Sequence, residues 1–400
     1  MRILIYSRFF PPSIGGVETY ARLLAEGLAR KPDGTPEVFC VTEIAAGDFD
    51  DSTLPFTVVR KPGILGLFRL IREADVVHIA GPAILPLAIA IWLHKPVIVE
   101  HHAYQAVCPN GLLLYSPTRT ACPDCFMRRR YLQCLQCNSK EAGWLGSLKM
   151  LVFEWPRRWL CRLATAQLCI TQHVANRVRL PRSTVIYYGV PDVANTREVV
   201  QSFSQQKIVA PTLTVGYVGR LVQEKDVQTL IEAVQQVRDK GHSIGLKLIG
   251  DGPERSSLES IAAKNGTSQH IVFVGALRGE DLNRAALDLD VLVLPSLWEE
   301  PAGLVVMEQM MRGRPVIVTN NGGAAELAGD TGLTFPPGDR NALAQCLRRF
   351  LEEPALLAKL SRLARARAVE LFSLPNMVEN HYNLFELCLH QRGEKTEPAK

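Results

Sequence analysis

No apolar stretch in this chain reaches the roughly 20 residues that a membrane-spanning helix needs. The longest uncharged run, Ile79 to Leu93, is broken by a glycine and two prolines. The opening residues, MRILIYSRFFPPS, carry too short an apolar run before Arg8 and Pro11 for a secretory signal. The expectation is therefore a cytoplasmic protein, free or at the inner face of the cytoplasmic membrane. A dinucleotide fingerprint is also missing. After Gly250-Asp251-Gly252, position 255 is Arg where G-x-G-x-x-G needs its last glycine, which argues against a nicotinamide enzyme. No RNA- or DNA-binding motif accompanies the basic residues, so a nucleic-acid partner is not expected. Disulfides are not expected in that compartment either, and the ten cysteines read as thiols or metal ligands.

What is present is an ordinary globular composition, 47% hydrophobic and 21% charged, in 400 residues, enough for two or three domains with sizeable cores. The net charge of +5 is uneven: residues 1–194 hold 22 Lys and Arg against 15 Asp and Glu, the remainder 23 against 25. Residues 119–182 contribute most, with twelve basic and three acidic side chains. This is either ordinary surface charge or the footprint of an anionic partner. Tryptophans and arginines interleave there, at Trp144, Trp155, Arg157, Arg158, Trp159 and Arg162, near Arg128-Arg129-Arg130 and Lys149. Such a mixture suits a peripheral contact with an anionic membrane or a lipid-diphosphate acceptor; tryptophans packed into a core are the competing reading.

Short apolar runs alternate with helical stretches in both halves, the pattern of a parallel α/β sheet. Strands are expected at Ile3–Tyr6, Val38–Thr42, Thr57–Arg60, Val76–Ile79 and Val97–Glu100, then at Leu213–Val218, Gly245–Ile249, Ile271–Val274, Val291–Leu294 and Pro315–Thr319. The predicted division is a domain over 1–192 with a Cys-rich basic insertion at about 108–160, a domain over 193–371, and an amphipathic helix over 372–392. Polar, irregular residues from about Asp192 to Pro211 suit a linker, and Gly393 to Lys400 suit a disordered end. The fold class is α/β: two Rossmann-like domains facing each other, with the ligand in the cleft between.

Within that frame one stretch stands out, Pro295 to Arg312, PSLWEEPAGLVVMEQMMR. It follows the unbroken apolar run Val291–Leu294, which reads as a buried strand. A helix should begin near Gly303, with Leu304, Met307, Met310 and Met311 at helical spacing. Glu300 and Glu308 lie eight positions apart, and at about 1.5 Å rise per helical residue that puts the two carboxylates roughly 12 Å apart along the axis. Between them, the helix N-terminus and the residues Gly303, Leu304 and Val305 offer free N–H groups to a phosphate. Two carboxylates for hydroxyls and a helix end for phosphate describe a receptor for a nucleotide sugar; two solvated helix glutamates are the plain alternative.

Other segments carry candidate chemistry. A loop rich in proline and glycine, Phe9 to Gly16, leads into a helix from about Val17 to Arg30. Gly15 and Gly16 there either admit a ligand to the helix N-terminus or make a tight turn. His101 and His102 follow the strand at Val97, where doubly wound sheets bind ligands. Arg220 and Lys225 follow the first strand of the second half, where a planar fork and a point charge could neutralise a diphosphate. Cys122-Pro-Asp-Cys125 and Cys134-Leu-Gln-Cys137 read either as a tetrahedral structural zinc site, in which Cys108 could replace one ligand, or as free thiols in an insertion. A catalytic metal is not expected, since such a site keeps an open position and needs His or carboxylate ligands nearby.

The order of these segments resembles the retaining GT4-type glycosyltransferases, which have the GT-B fold. Pro11-Pro12-Ser13-Ile14-Gly15-Gly16-Val17-Glu18 is similar to their P-P-x-x-G-G-x-E, and Gly219-Arg220-Leu221 with Lys225 to G-R-L-x-x-x-K. Gly250 to Glu254 is similar to G-D-G-P-E, Glu300 to Glu308 to E-x7-E, and Gly322-Gly323-Ala324-Ala325-Glu326 to G-G-x-x-E. The resemblance implies a retaining transfer of a hexose-type sugar from a nucleoside diphosphate sugar to a glycan or lipid-linked acceptor, without a catalytic metal, in cell-surface polysaccharide or glycolipid synthesis. It implies an acceptor-binding first domain, a donor-binding second domain, and a C-terminal helix crossing back to the first. The family's H-D before C-P, set against Cys108-Pro109, selects His102 rather than His101 as the histidine facing the donor sugar, with Ala103 in place of the Asp. By the same resemblance Glu308 would bind the ribose, Glu300 the sugar hydroxyls, Arg220 and Lys225 the diphosphate, and Ala276 and Leu277 the base through their backbone. Ala302 stands where the family commonly has an aromatic residue, so the donor sugar is not inherited from the motif. A nucleotide-sugar epimerase of related fold and a non-catalytic sugar-nucleotide-binding protein are the alternatives.

Overall fold

A computed structural model of the chain describes residues 1–13, 15–32, 36–192 and 213–396, with side chains placed through Gln391. The expected linker lies, from 193 onward, outside those residues. Two compact units form: Met1–Thr118 with Cys122–Gly189 and Ser373–Lys400, and Arg119–Ala121 with Val190–Phe372.

The first unit is built on seven parallel strands: β1 Arg2–Ser7, β2 Glu37–Thr42, β3 Thr57–Arg60, β4 Val76–Ala80, β5 Val97–His101, β6 Ala166–Cys169 and β7 Ser183–Val185. Their spatial order is β3-β2-β1-β4-β5-β6-β7. Helices α1 Gly16–Ala29, α2 Ile64–Glu73, α3 Ile84–Trp92, α4 Tyr131–Leu163 and α5 Gln172–Val178 follow in sequence. Every residue of β4, β5 and β6 is buried, as expected where helices cover both faces of a parallel sheet. Strands β6 and β7 were not anticipated. At four and three residues they are too short to display a period.

The second unit repeats the plan with β8 Leu213–Val218, β9 Ile244–Ile249, β10 Ile271–Gly275, β11 Val291–Leu294, β12 Val316–Thr319 and β13 Leu333–Phe335. Their order, β10-β9-β8-β11-β12-β13, again reverses direction beside the unit's first strand. The last strand, three residues long, also escaped the periodicity. Helices α6 Val227–Asp239, α7 Arg255–Lys264, α8 Gly279–Ala285, α9 Leu304–Met311, α10 Gly323–Ala328, α11 Arg340–Glu352 and α12 Pro354–Leu371 complete it. Both sheets are doubly wound, so each has a switch point where loops leaving two central strands diverge: β1 and β4 in one unit, β8 and β11 in the other.

The C-terminal helix α13 runs from Leu374 to Thr396 and belongs to the first unit. Residues 393–396, expected to be disordered, continue this helix; 397–400 lie outside the described residues. It packs beside α1, with Lys31 Nζ 2.6 Å from Glu379 and the Gly189 N–H 3.0 Å from the Met377 sulfur. Its inner face carries His381, whose Nε2 lies 2.8 Å from the Tyr20 hydroxyl and whose Nδ1 lies 2.7 Å from the Met377 carbonyl. Tyr20 also reaches His78 Nε2 at 3.4 Å, and His78 Nε2 lies 2.9 Å from Glu100 Oε2. Tyr20 is almost fully buried, and His78, Glu100 and His381 are fully so.

Burial without full compensation disfavours the charged imidazoles. His78 is pushed down to about 3, and His381 to about 4 despite the attraction of Glu100. The folded unit thus keeps these rings neutral while the unfolded chain protonates them near their ordinary value of 6.5. Between pH 6.5 and about 4 the unfolded state binds more protons, so stability falls as pH falls. The expected result is a melting temperature that drops across that window and drops less steeply in His381→Phe. Parallel profiles for the two proteins, measured by thermal unfolding from pH 7.5 to 4.5, would refute the assignment.

Candidate functional site

At the second unit's switch point, β8 and β11 separate and their loops carry most of the charged motif residues. The chain leaves β8 through Gly219, Arg220 and Leu221 into a short turn at Gln223–Lys225, and leaves β11 through Pro295 and Ser296 to Glu300. One backbone bond joins the two loops, Leu297 N–H to the Glu224 carbonyl at 2.9 Å. The Lys225 ammonium therefore lies 2.5 Å from Glu300 Oε2. The same oxygen accepts the Ser296 hydroxyl at 3.0 Å and the Trp298 indole N–H at 2.9 Å. Lys225 Nζ also lies 5.4 Å from the centre of the Trp298 ring, within cation–π range. All three donors converge on one oxygen, and Oε1 takes none of them.

Glycines set this geometry by close approach. A Cβ on Gly322 would stand 2.6 Å from both the N and the O of Glu300, and the residue has φ +88°. The Gly323 N–H donates to the Glu300 carbonyl at 2.6 Å, so the G-G-x-x-E segment grips the backbone of the acid. Beside it, a Cβ on Gly250 would stand 1.8 Å from the Gly219 carbonyl oxygen, and the Leu221 N–H donates to the Asp251 carbonyl at 2.9 Å. The glycines of G-D-G-P-E thus let that turn lie directly on the G-R-L loop.

Helix α9 begins one residue after Gly303, which has φ +131°, and buries Val306, Met307, Met310 and Met311. Because Pro301 to Gly303 are not helical, the eight steps from Glu300 to Glu308 are not one helical rise, and the 12 Å expectation does not apply. Leu304 and Val305 form the start of the helix and are half-buried. Glu308 is half-buried too, and burial holds its carboxyl above the usual range, partly offset by Arg312. Arg220 points to solvent with a 76% exposed side chain, 4.0 Å from Glu224, and takes no part in the Glu300 cluster. Ala276 is exposed in the loop after β10. Leu277 packs on the small cluster of Ile249, Ala286 and Leu289.

In the first unit His101 is not a loop residue. It ends β5, fully buried, with Nε2 2.9 Å from Gln167 Oε1. His102 follows, with Nδ1 2.5 Å from the Tyr188 hydroxyl and 3.8 Å from Glu100 Oε1. Burial raises the Tyr188 pKa well above its ordinary value, so the phenol keeps its proton and donates it to Nδ1. This leaves the imidazole proton on Nε2, a buried atom with no hydrogen-bond partner among the described residues. Burial lowers His102 to about 4, against the pull of Glu100, so the ring is a neutral donor at neutral pH. Gly15 and Gly16 open α1, and the Glu18 carboxylate, bonded to the Ser13 hydroxyl at 2.7 Å, lies over Gly15.

The basic insertion divides into two parts. Helix α4 is broken at Gly143 (φ 68°, ψ 170°). Beyond the break, Leu145, Leu148, Val152, Trp155, Trp159 and Leu163 recur at three- and four-residue spacing and are exposed, Leu145 at 85% and Trp159 at 59%. Trp144 and Trp159, each more than half exposed, depart from the core-packing reading, whereas Trp155, 52% exposed, lays its ring against Phe126 and Tyr131 with centroids 5.3 and 5.5 Å away. Arg158, by contrast, is buried and donates to the carbonyls of Ala106 and Val178. The other part holds Cys122, Cys125, Cys134 and Cys137, free thiols that together line one cavity.

Ser296, Trp298, Tyr188 and Tyr20 were absent from the sequence prediction. Ser296 and Trp298, at four and two residues before Glu300, were within reach of a reading that asked what holds the acid. Tyr188, 86 residues from His102, was not.

A family model described as "Glycosyl transferases group 1" matches residues 200–367. A 2-deoxystreptamine glucosyltransferase of Streptomyces kanamyceticus is 35% identical over 218 residues, 51% of this chain and 56% of that protein, so the match spans little more than half its length. A glycogen synthase of Mycobacterium tuberculosis is 35% identical over 415 residues, 92% of this chain and 90% of that protein. Among solved structures, Anabaena HepE, crystallised with UDP and glucose, superposes with a TM-score of 0.69 at 18% identity, covering 96% of this chain and 99% of that one; this bears on the fold alone. Two doubly wound units, the glycine-held acid and lysine, and 35% identity to nearly the whole of a glycogen synthase make one case: the chain belongs to the group 1 glycosyl transferases, of the GT4 type with the GT-B fold.

Proposed function

We propose that this chain is a retaining hexosyltransferase that moves a sugar from a nucleoside diphosphate sugar to a glycan or lipid-linked acceptor, in polysaccharide or glycolipid synthesis. The observation that carries the reading is the Lys225–Glu300 pair at the switch point beyond β8 and β11, where such sheets bind ligands. The names of the relatives, a glucosyltransferase and a glycogen synthase, support transfer of a hexose. UDP and glucose in HepE support a UDP-linked donor. The second unit would hold the donor and the first unit, the acceptor.

In this scheme Lys225 and the exposed Arg220 stabilise charge on the departing diphosphate, together with the N-terminus of α9. Such preorganised charge is usually the largest catalytic contribution. Glu300 keeps Oε2 for its protein donors and offers Oε1 to sugar hydroxyls. Glu308 binds the ribose, Ala276 and Leu277 meet the base through backbone groups, and the Nε2–H of His102 donates to the sugar. Positive charge is supplied by side chains and backbone, so no catalytic metal is invoked. The apolar stripe on α4, with Lys149, Arg162 and Arg128 to Arg130 close in sequence, would rest on an anionic bilayer that presents a lipid-linked acceptor. Among the described residues no helix is long and apolar enough to cross a membrane, so this contact would be peripheral.

A panel of UDP- and GDP-sugars should contain one that raises the melting temperature. Glu308→Ala should abolish that shift, and an unchanged shift would remove the ribose role. Lys225→Ala should lower kcat/KM on the order of 100-fold and also lower stability, because Glu300 is left without its counter-charge. Arg220→Ala, at an exposed site, should lower turnover with the melting temperature nearly unchanged. Wild-type turnover in either variant would overturn the leaving-group assignment. The chain should sediment with phosphatidylglycerol vesicles, less so at high salt, and not with phosphatidylcholine vesicles; Trp155→Glu combined with Trp159→Glu should weaken it. Failure to bind anionic vesicles would exclude the membrane part.

A further inference from the structure

Five of the ten cysteines meet in the first unit. Cys108, Cys122, Cys125, Cys134 and Cys137 line a single cavity of about 10 Å3, and no disulfide joins them. Such a space is on the scale of one water molecule or a lone ion. Cys134 and Cys137 sit at i and i+3 in the first turns of α4 and so share a helix face. Cys122 and Cys125 come from the turn that precedes it.

We propose that Cys122, Cys125, Cys134 and Cys137 bind one structural zinc ion, and that the ion clamps the start of α4 to the segment following β5. The paired C-x2-C spacing separates the four ligands from the fifth cysteine. The Cys137 sulfur accepts the Ser116 N–H at 3.4 Å and the Asn110 side-chain N–H at 3.9 Å, the outer hydrogen bonds that a metal-bound thiolate uses. Cys108 donates its S–H to Asn110 Oδ1 at 3.0 Å and stands outside the two C-x2-C pairs. Binding forms four Zn–S bonds and sends the four S–H protons to solvent, leaving a net charge of about −2 on the centre. A basic residue stands beside the site, since the Arg130 backbone N–H donates to the Cys125 carbonyl at 2.7 Å.

Among the described residues, the trio of potential ligand atoms lying within 4.8 Å of one another is that of His78, Glu100 and His381, already engaged in the hydrogen bonds described above. The cysteine sulfurs are spread wider, so metal binding draws them inward around the cavity. The clamp would bear on His102. The chain from His102 to the cysteines is a compact loop, closed by Tyr104 N–H to the Gly111 carbonyl at 3.1 Å and Cys122 N–H to the Leu113 carbonyl at 2.7 Å.

Untagged protein purified under reducing conditions should contain about one zinc per chain by mass spectrometry, released in step with mercurial titration of its thiols. X-ray absorption should give four sulfurs at about 2.3 Å. Cys134→Ser and Cys137→Ser should lose the metal, whereas Cys108→Ser should keep it. If the variants fail to fold, cobalt loaded into the wild-type protein should give thiolate-to-metal charge-transfer bands of a four-sulfur site. Folded, reduced wild-type protein that neither carries zinc nor takes it up, that carries iron instead, or that needs Cys108 and not Cys137 would overturn the proposal.

Discussion

One carboxylate oxygen organises the second unit. Glu300 Oε2 gathers a lysine, a hydroxyl and an indole N–H from two loops that leave neighbouring strands. An ion pair so little exposed is favourable only when its geometry is good and its remaining donors and acceptors are met. Here the backbone enforces that condition. Gly322 and Gly323 hold the acid from one side, and the Leu297–Glu224 bond ties the two loops together. The pair therefore depends on the sheet order, because only adjacency of β8 and β11 brings residues 75 positions apart to one oxygen.

The first unit solves a different problem. Its centre is a set of neutral imidazoles, two phenols and one carboxylate, packed where the last helix meets the sheet. Burial sets the proton positions: Tyr188 stays a phenol, His102 stays neutral, and its proton faces away from Tyr188. Charge gathers at the switch point of one unit and neutral hydrogen-bonding rings at the centre of the other. The His102 loop also continues into the cysteine-lined cavity, so a metal there would stiffen the region that carries this donor without touching the reaction.

Short apolar runs, their alternation with helices and the ordered motifs determined two α/β units, most strand positions and the family, because each is a local pattern that survives without neighbours. The unbroken apolar run Val291–Leu294, bounded by Asp290 and Pro295, reads as a buried strand, and Glu300 and Lys225 stand in the loops that leave strands. Short strands such as Ala166–Cys169 were beyond such reading, since four residues carry no period. Tertiary structure alone decided that Glu300 and Lys225 touch, that His101 is sealed in the sheet while His102 faces Tyr188, that three tryptophans of α4 lie exposed, and that five cysteines share one cavity. Each of these is a statement about which distant segments become adjacent, and adjacency is set by sheet order and packing rather than by spacing along the chain.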